Sequence, residues 1–319
     1  MRSRTLNWTA IVPATLPLPG RQPTMTLPPA AARRPTLLIV GCGDVGQRVL
    51  KLLAGRWHLL ALTSTPARAP LLRALGAQPL VGNLDLPATL GRLGGLADAV
   101  LHLAPPPGQG PDDPRTRALL RALARGGRVR RLVYASTSGV YGDCGGARFN
   151  ETRPVQASTD RARRRVDAEA QVRFFGRQTG ARVTVLRIPG IYASDRPGGH
   201  PRERLARGTA VLAAEDDVYT NHIHADDLAR ACVAALHRGR PQRVLHASDD
   251  TELKMGDYFD LAADLCGLPR PPRITREQAR ERLSPMLLSF MSESRRLDNQ
   301  RLKTELRLRL RYPTVREGL

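Results

Sequence analysis

The run Leu37-Leu38-Ile39-Val40-Gly41-Cys42-Gly43-Asp44-Val45-Gly46 constrains the fold of this chain more than any other stretch. Aliphatic residues in succession, without polar alternation, suit a strand buried on both faces. The glycines that follow give G-x-G-x-x-G, and residues 47–53 continue with helical character. Each glycine has its own task. Gly41 permits the tight turn off the strand, Gly43 lets backbone approach a pyrophosphate, and Gly46 lets the helix pack closely on the sheet. A helix starting here turns free N–H groups toward the phosphates, so Gly41, Gly43, Asp44, Val45 and Gly46 are expected to line a bound dinucleotide.

The segments downstream fit the same architecture. Residues 57–62, 79–82, 99–103, 132–135 and 183–188 read as five further strands, separated by helical stretches such as 71–75. Strands and helices alternating at this spacing indicate an α/β, doubly wound parallel sheet of the Rossmann type. The end of the second strand reports on the cofactor. An acidic residue there would bind the ribose of NAD, but the chain has Thr63-Ser64-Thr65-Pro66-Ala67-Arg68. Ser64, Thr65 and Arg68 are suited to a 2′-phosphate, which makes NADP the expected cofactor and NAD the alternative.

Composition excludes several other classes. The net charge of +21 comes from arginine spread along the chain, with lysine only at 51, 254 and 303. That spread, with 4% aromatic residues and no basic-aromatic interleaving, argues against a specific nucleic-acid groove. Cys42, Cys144, Cys232 and Cys266 form no C-x-x-C pair, so neither a zinc ribbon nor a disulfide framework is expected, and a reducing cytoplasm is the simplest setting. No apolar run approaches the ~20 residues of a membrane span. Residues 1–35 contain seven prolines and five arginines without an acidic residue, and are expected to be disordered. Met25 is an alternative start.

Taken together, the early glycine loop, His102-Leu103-Ala104, Ser136-Thr137-Ser138-Gly139-Val140-Tyr141-Gly142, Arg187-Ile188-Pro189-Gly190-Ile191-Tyr192 and Asn221-His222-Ile223-His224-Ala225-Asp226-Asp227-Leu228 resemble the extended and atypical short-chain dehydrogenase/reductases, more narrowly the NAD-dependent epimerase/dehydratase-like proteins. The resemblance covers residues 36–319. It implies a Rossmann domain over 36–190 and a mainly substrate-binding lobe over 191–319, interleaved with it. It also implies cofactor contacts at Asn83, Leu84, Leu103, Ala104, Arg165 and Pro189, and a monomer or homodimer acting on a small carbonyl, hydroxyl or nucleotide-sugar substrate. Thr137 matches the hydroxyl residue that binds a substrate carbonyl.

The family's Y-x-x-x-K proton donor is missing. Glu169 aligns with an acidic residue eight positions after that tyrosine, which puts Arg161 and Arg165 where tyrosine and lysine belong. No lysine lies between Lys51 and Lys254, and no tyrosine between Tyr141 and Tyr192, so no shift restores the motif. An arginine with a pKa above ~12 cannot replace the tyrosine as acid/base, although Arg165 retains the donors to bind ribose. Loss of a positioned acid/base costs about 10²–10⁴ in rate. Two readings follow: an NADP-dependent oxidoreductase or epimerase/dehydratase-like enzyme, with Tyr141, Asp143 or water as proton source, or a catalytically weak NADP-binding sensor or structural protein.

Two local expectations complete the sequence reading. Val166, Ala170 and Phe174 recur every four residues and are expected to form the sheet-facing side of a helix. The pattern His222-x-His224-x-Asp226 is read as a loop-to-helix junction rather than a metal site, since only His237 and His246 follow it. Residues 295–299 are expected to open a late basic helix.

Overall fold

The computed structural model describes residues 33–319, and Arg34–Leu319 forms one compact unit. The expected disorder of residues 1–35 and the alternative start at Met25 fall, up to residue 32, outside the described residues.

Seven strands form a wholly parallel sheet: β1 (Thr36–Val40), β2 (His58–Thr63), β3 (Gln78–Val81), β4 (Ala99–His102), β5 (Arg131–Thr137), β6 (Arg182–Ile188) and β7 (Arg243–His246). Their spatial order is β7-β6-β5-β4-β1-β2-β3. Chain direction across the sheet therefore reverses between β1 and β4, and the crevice beyond their C-terminal ends is where such sheets bind ligands. All five residues of β1 are buried, as the unbroken aliphatic run requires.

Helices cover both faces. On one, α1 (Asp44–Leu53) and α4 (Ala225–Arg238) bury Val45, Val49, Leu50, Leu228, Cys232 and Leu236 against the sheet. On the other, α2 (Pro114–Ala124) and α3 (Asp160–Thr179) contribute Leu119, Leu123, Ala168, Val172 and Phe175. A separate cluster gathers Tyr192, Leu205, Val211, Leu212, Met255, Tyr258 and Phe259 beyond the sheet, around α5 (Met255–Cys266). The two-residue strands Val211–Leu212 and Arg273–Ile274 pair beside it.

Three details differ from the sequence reading. The stripe Val166, Ala170, Phe174 is not the buried side of α3: Ala170 is exposed and Phe174 is 58% exposed. Steps of four residues rotate about 40° per step around a 3.6-residue helix, so the stripe drifts off the sheet. The buried side includes Glu169, a carboxylate that a hydrophobic pattern passes over. The late helix begins at Gln300, not 295, because the backbone around it is drawn into other pairing. Arg296 N–H donates to Ala147 O at 3.0 Å and Asp298 N–H to Phe149 O at 2.9 Å. Finally, β7 was not anticipated from its four residues.

Candidate active site

Along the C-terminal edge of the sheet, three cavities meet end to end. The first, about 280 Å³, lies between the ends of β1, β2 and β3 and is lined by Gly41, Ser64, Arg68, Asn83, Leu84 and Ala104, among others. The second, about 300 Å³, continues over the glycine turn along Gly41, Gly43, Asp44, Val45, Gly46 and Leu103, and reaches Thr137, Arg165 and Pro189. The third, about 700 Å³, opens from Thr137, Arg165, Pro189, Ile191 and Arg196, which it shares with the second. Every residue expected to contact the cofactor therefore lines the first two cavities.

The glycine turn shows why these residue types are needed. Gly41 has φ +84°, and a Cβ there would stand 2.4 Å from Ala104 N and 2.6 Å from Ala104 Cα. The β1 exit thus presses directly on the β4 exit, which only glycine allows. At Gly43, by contrast, a Cβ would meet nothing within 4 Å, because it would project into open cavity. That cradle fits a pyrophosphate on the α1 N-terminus. Cys42, between the two, is 2% exposed, and burial pushes its thiol up to about 11 despite nearby Arg68, so it is an inert packing residue.

At the far end of the first cavity, Arg68 donates to Cys42 O at 2.7 Å and has no carboxylate partner among the described residues. Arg115, also lining it, is held by both oxygens of Asp85 at 2.6 and 2.7 Å. Of the two arginines in this cavity, Arg68 is therefore the one whose charge no carboxylate neutralises.

The other end brings together Thr137, Arg165 and Arg161. Thr137 closes β5, and its oxygen accepts from Gly139 N–H at 3.2 Å, leaving the hydroxyl proton available to a ligand. Arg165 donates to Ala135 O at 2.6 Å and to Tyr134 Oη at 3.2 Å, which fixes its guanidinium beside the β5 exit. Arg161 lies over the Phe290 ring at 4.6 Å, on the wall of the large cavity.

Tyr141 is not part of this group. It is 1% exposed, lines none of the three cavities, and sits in a buried chain of hydrogen bonds. Ser136 Oγ donates to Glu169 Oε1 at 2.6 Å. Glu169 takes Arg187 Nη2 at 2.7 Å and Nε at 3.1 Å, Arg187 Nη1 donates to Tyr141 Oη at 2.7 Å, and Tyr141 Oη lies 2.6 Å from His246 Nε2. His246 Nδ1 faces Asp298 O at 2.8 Å, so Nδ1 carries the proton and Nε2 accepts from Tyr141. Burial raises the Tyr141 pKa further, with Arg187 opposing it. The tyrosine is a fully satisfied structural link, and the sequence reading that put it among the catalytic residues is corrected here.

Arginines give the large cavity its character, and of these Arg164, Arg204 and Arg295 were not singled out from the sequence as site residues. Arg161, Arg164, Arg165, Arg196, Arg204 and Arg295 line it, against one carboxylate, Glu293, which Arg295 already holds at 2.7 Å. Arg204 stands over the Phe259 ring at 4.2 Å, and burial draws its pKa down to about 10. His222 also lines the wall, stacked on Tyr258 at 4.2 Å. Burial lowers it to about 3, so it is a neutral imidazole. His224 packs on Tyr312 at 3.7 Å, so both histidines of the H-x-H pattern serve aromatic packing, and Asp226 and Asp227 lie in the first turn of α4 as expected. No sequence periodicity marks Arg204 or Arg295 as cavity residues, because they come from short segments brought in by the smaller cluster.

The switch-point crevice, the glycine cradle and the adjoining cavity define a dinucleotide-binding protein with a doubly wound α/β fold. The profile of the NAD dependent epimerase/dehydratase family matches residues 37–247, and the chain belongs to that family. A functionally unknown conserved protein from Silicibacter pomeroyi is 32% identical, with 89% of this chain and 96% of that one superimposing at a TM-score of 0.75. Protein YeeZ of Escherichia coli K12 is 24% identical over 86% of this chain and 95% of its own length. In fold, the chain is similar to dTDP-glucose 4,6-dehydratase from Streptomyces venezuelae with NAD bound, at 22% identity, a TM-score of 0.70, and 89% and 94% coverage. The matched stretch spans well under half of other curated relatives, from 24% to 43% of their length. Among the described residues, no helix is long and apolar enough to cross a membrane.

Proposed function

We propose that the chain binds NADP across the β1/β4 crevice and acts as an oxidoreductase or epimerase/dehydratase-like enzyme on a small anionic substrate, a nucleotide sugar or acidic carbonyl compound, in the 700 Å³ cavity. The observation that carries this reading is continuity: the dinucleotide crevice and the large cavity share Thr137, Arg165, Pro189, Ile191 and Arg196. Such a junction is what transfer between cofactor and substrate needs, since reacting atoms must approach to about 3–3.5 Å. When bound, the dinucleotide supplies the hydride acceptor or donor.

The residues divide the remaining work. The glycine turn and α1 N-terminus hold the pyrophosphate, and Arg68 with Ser64 takes the 2′-phosphate. Arg165, fixed by Ala135 O, is placed for the ribose beside the β5 exit. Thr137 donates its hydroxyl proton to a substrate oxygen. Arg161, Arg164, Arg165 and Arg204 have no carboxylate partner among the described residues, so the cavity attracts anions. Residues 191–319 contribute about half of the cavity's lining, Arg204 included.

The absence of a tyrosine at Arg161 and the burial of Tyr141 favour the second reading, an NADP-binding sensor with weak turnover. Titration with NADPH followed by absorbance at the reduced nicotinamide, in the presence of carbonyl and nucleotide-sugar compounds, separates the two. Oxidation of NADPH supports the enzyme. Tight binding without oxidation supports the sensor, and no binding of either nicotinamide cofactor overturns both.

A further inference from the structure

Outside the glycine turn, one feature stands directly over the pyrophosphate cradle. The loop that follows the short strand Gly190–Tyr192 reaches across to α1 and is pinned there by two adjacent residues. Asp195 pairs with Arg48 at 2.5 Å, and Arg196 pairs with Asp44 at 2.9 Å. The loop is shaped to send Arg196 that way. Its stem folds over Gly199, where a Cβ would stand only 2.6 Å from Arg196 Cδ. Arg196 lines both the dinucleotide crevice and the large cavity, so its guanidinium stands at the boundary between them.

The charges around Asp44 are unusual for a phosphate site. Asp44 is the first residue of α1, and its carboxylate already sits at the helix N-terminus that a pyrophosphate would use. A dinucleotide would bring two more negative charges to the same turn. Arg48 cannot offset them, because it is shared among Asp44, Asp195 and Asp226. Burial works against the Arg48 charge, but these carboxylates outweigh it and hold its pKa above the usual arginine range. The cations lining the second cavity are Arg165 and Arg196; Arg68 lies in the first, bonded to Cys42 O, and Arg165 is committed to Ala135 O at the Thr137 end. Within the second cavity, Arg196 is the cation held by a side chain that can release it to a phosphate. Asp44 also accepts from Arg48 Nε, at 3.2 and 3.3 Å, so the departure of Arg196 would leave no unpaired carboxylate.

We propose that Arg196 is a ligand of the nicotinamide-side phosphate of the dinucleotide, and that Asp44 holds the guanidinium in place until the phosphate takes it over. The loop thereby acts as a clasp that closes the cofactor under the substrate cavity. This assignment rests on the dinucleotide reading given above. Arg196 would contribute a charge-assisted hydrogen bond to phosphate in a half-buried setting.

The test compares NADPH with 2′-AMP, which reaches only the Arg68 end, by calorimetric titration of the full chain. For Arg196→Ala, the expected result is an NADPH Kd raised about ten- to hundredfold with the 2′-AMP Kd unchanged within about twofold. Arg196→Lys should recover part of the loss. Asp44→Asn should tighten NADPH several-fold, because it removes a like charge and frees the guanidinium. Thermal unfolding without ligand confirms that each variant is folded, and the lysine variant keeps the test open if alanine disturbs the loop. An Arg196→Ala protein that binds NADPH like the wild type, or loses 2′-AMP equally, overturns the assignment while leaving the dinucleotide reading intact. Weaker NADPH binding by Asp44→Asn overturns the role given to Asp44. If the wild type binds neither compound, both the assignment and the dinucleotide reading fall.

Discussion

Gly41 and Gly43 stand two residues apart in the same turn, yet their surroundings differ, and under the proposed function the first serves the fold and the second the ligand site. Adding a methyl group at each position tests this. At Gly41 the backbone has φ +84°, which costs an L-residue about 1–2 kcal/mol. The added Cβ would also lie 2.4–2.9 Å from backbone atoms of Leu103 and Ala104, and overpacking of this kind costs about 1–3 kcal/mol. Gly41→Ala should therefore lose roughly 2–5 kcal/mol of stability in urea denaturation. At Gly43 the backbone is extended, with φ −79° and ψ −150°, and the Cβ meets no atom within 4 Å. Gly43→Ala should fold as stably as the wild type or gain up to about 1 kcal/mol by restricting the unfolded chain. Its Cβ, however, occupies the space a phosphate needs, and losing about one charge-assisted hydrogen bond weakens NADPH some ten- to hundredfold. Urea unfolding and NADPH titration on the two variants suffice as the assay. If Gly43→Ala is destabilised as much as Gly41→Ala, or retains wild-type affinity, the crevice is not the path of the pyrophosphate.

Further outcomes follow from the same geometry. Arg68→Ala should weaken NADPH about ten- to hundredfold and leave NADH unchanged, and equal effects on both would remove the 2′-phosphate role. Glu169→Gln leaves the Arg187 guanidinium buried with no carboxylate, both side chains being 5% exposed, and should cost about 3–5 kcal/mol. A loss below about 1 kcal/mol would show that the buried chain to His246 is not a structural support. Stability should fall on acidification. Burial holds His102 and His222 near 3 and His246 near 4, so the stability tied to their neutral forms is present above about 6.5 and lost as pH falls toward the folded values. Asp249 acts in the opposite sense: burial raises it to about 7, so its contribution is full below about 4 and lost as pH rises through 7. His224 and His237 are also lowered by burial, while Glu151 and Asp217 are raised by it; the imidazoles outnumber the carboxyls, so the unfolded chain binds more protons and unfolding free energy should drop as pH falls from about 6 toward 4.5. Urea midpoints that stay flat across this window would show that these groups are not buried as described.

Much of the fold was legible in local sequence because its signals are local. An aliphatic run followed by glycines at fixed spacing specifies strand, turn and helix within about fifteen residues, and the same pattern repeated predicts a parallel sheet with one switch point. The residues assigned to the cofactor all border the crevice for the same reason: strand ends of a parallel sheet converge on one edge. The absence of the Tyr/Lys pair was equally legible, since it depends only on which residues occupy α3.

What sequence could not decide depends on which distant residues meet. Tyr141 looks identical in sequence whether it faces a substrate or Arg187 and His246, and only the packing of β5, β6 and β7 puts it in the second environment. Glu169 belongs to the buried side of α3 because Ser136 and Arg187 await it across the sheet, a pairing that no hydrophobic period encodes. Arg196 and Asp44, 152 positions apart, meet because the loop after residue 192 folds back over α1. The glycine turn could be read from ten residues, whereas the cationic cavity beside it exists only after segments scattered from Pro105 to Arg295 are brought to one edge of the sheet.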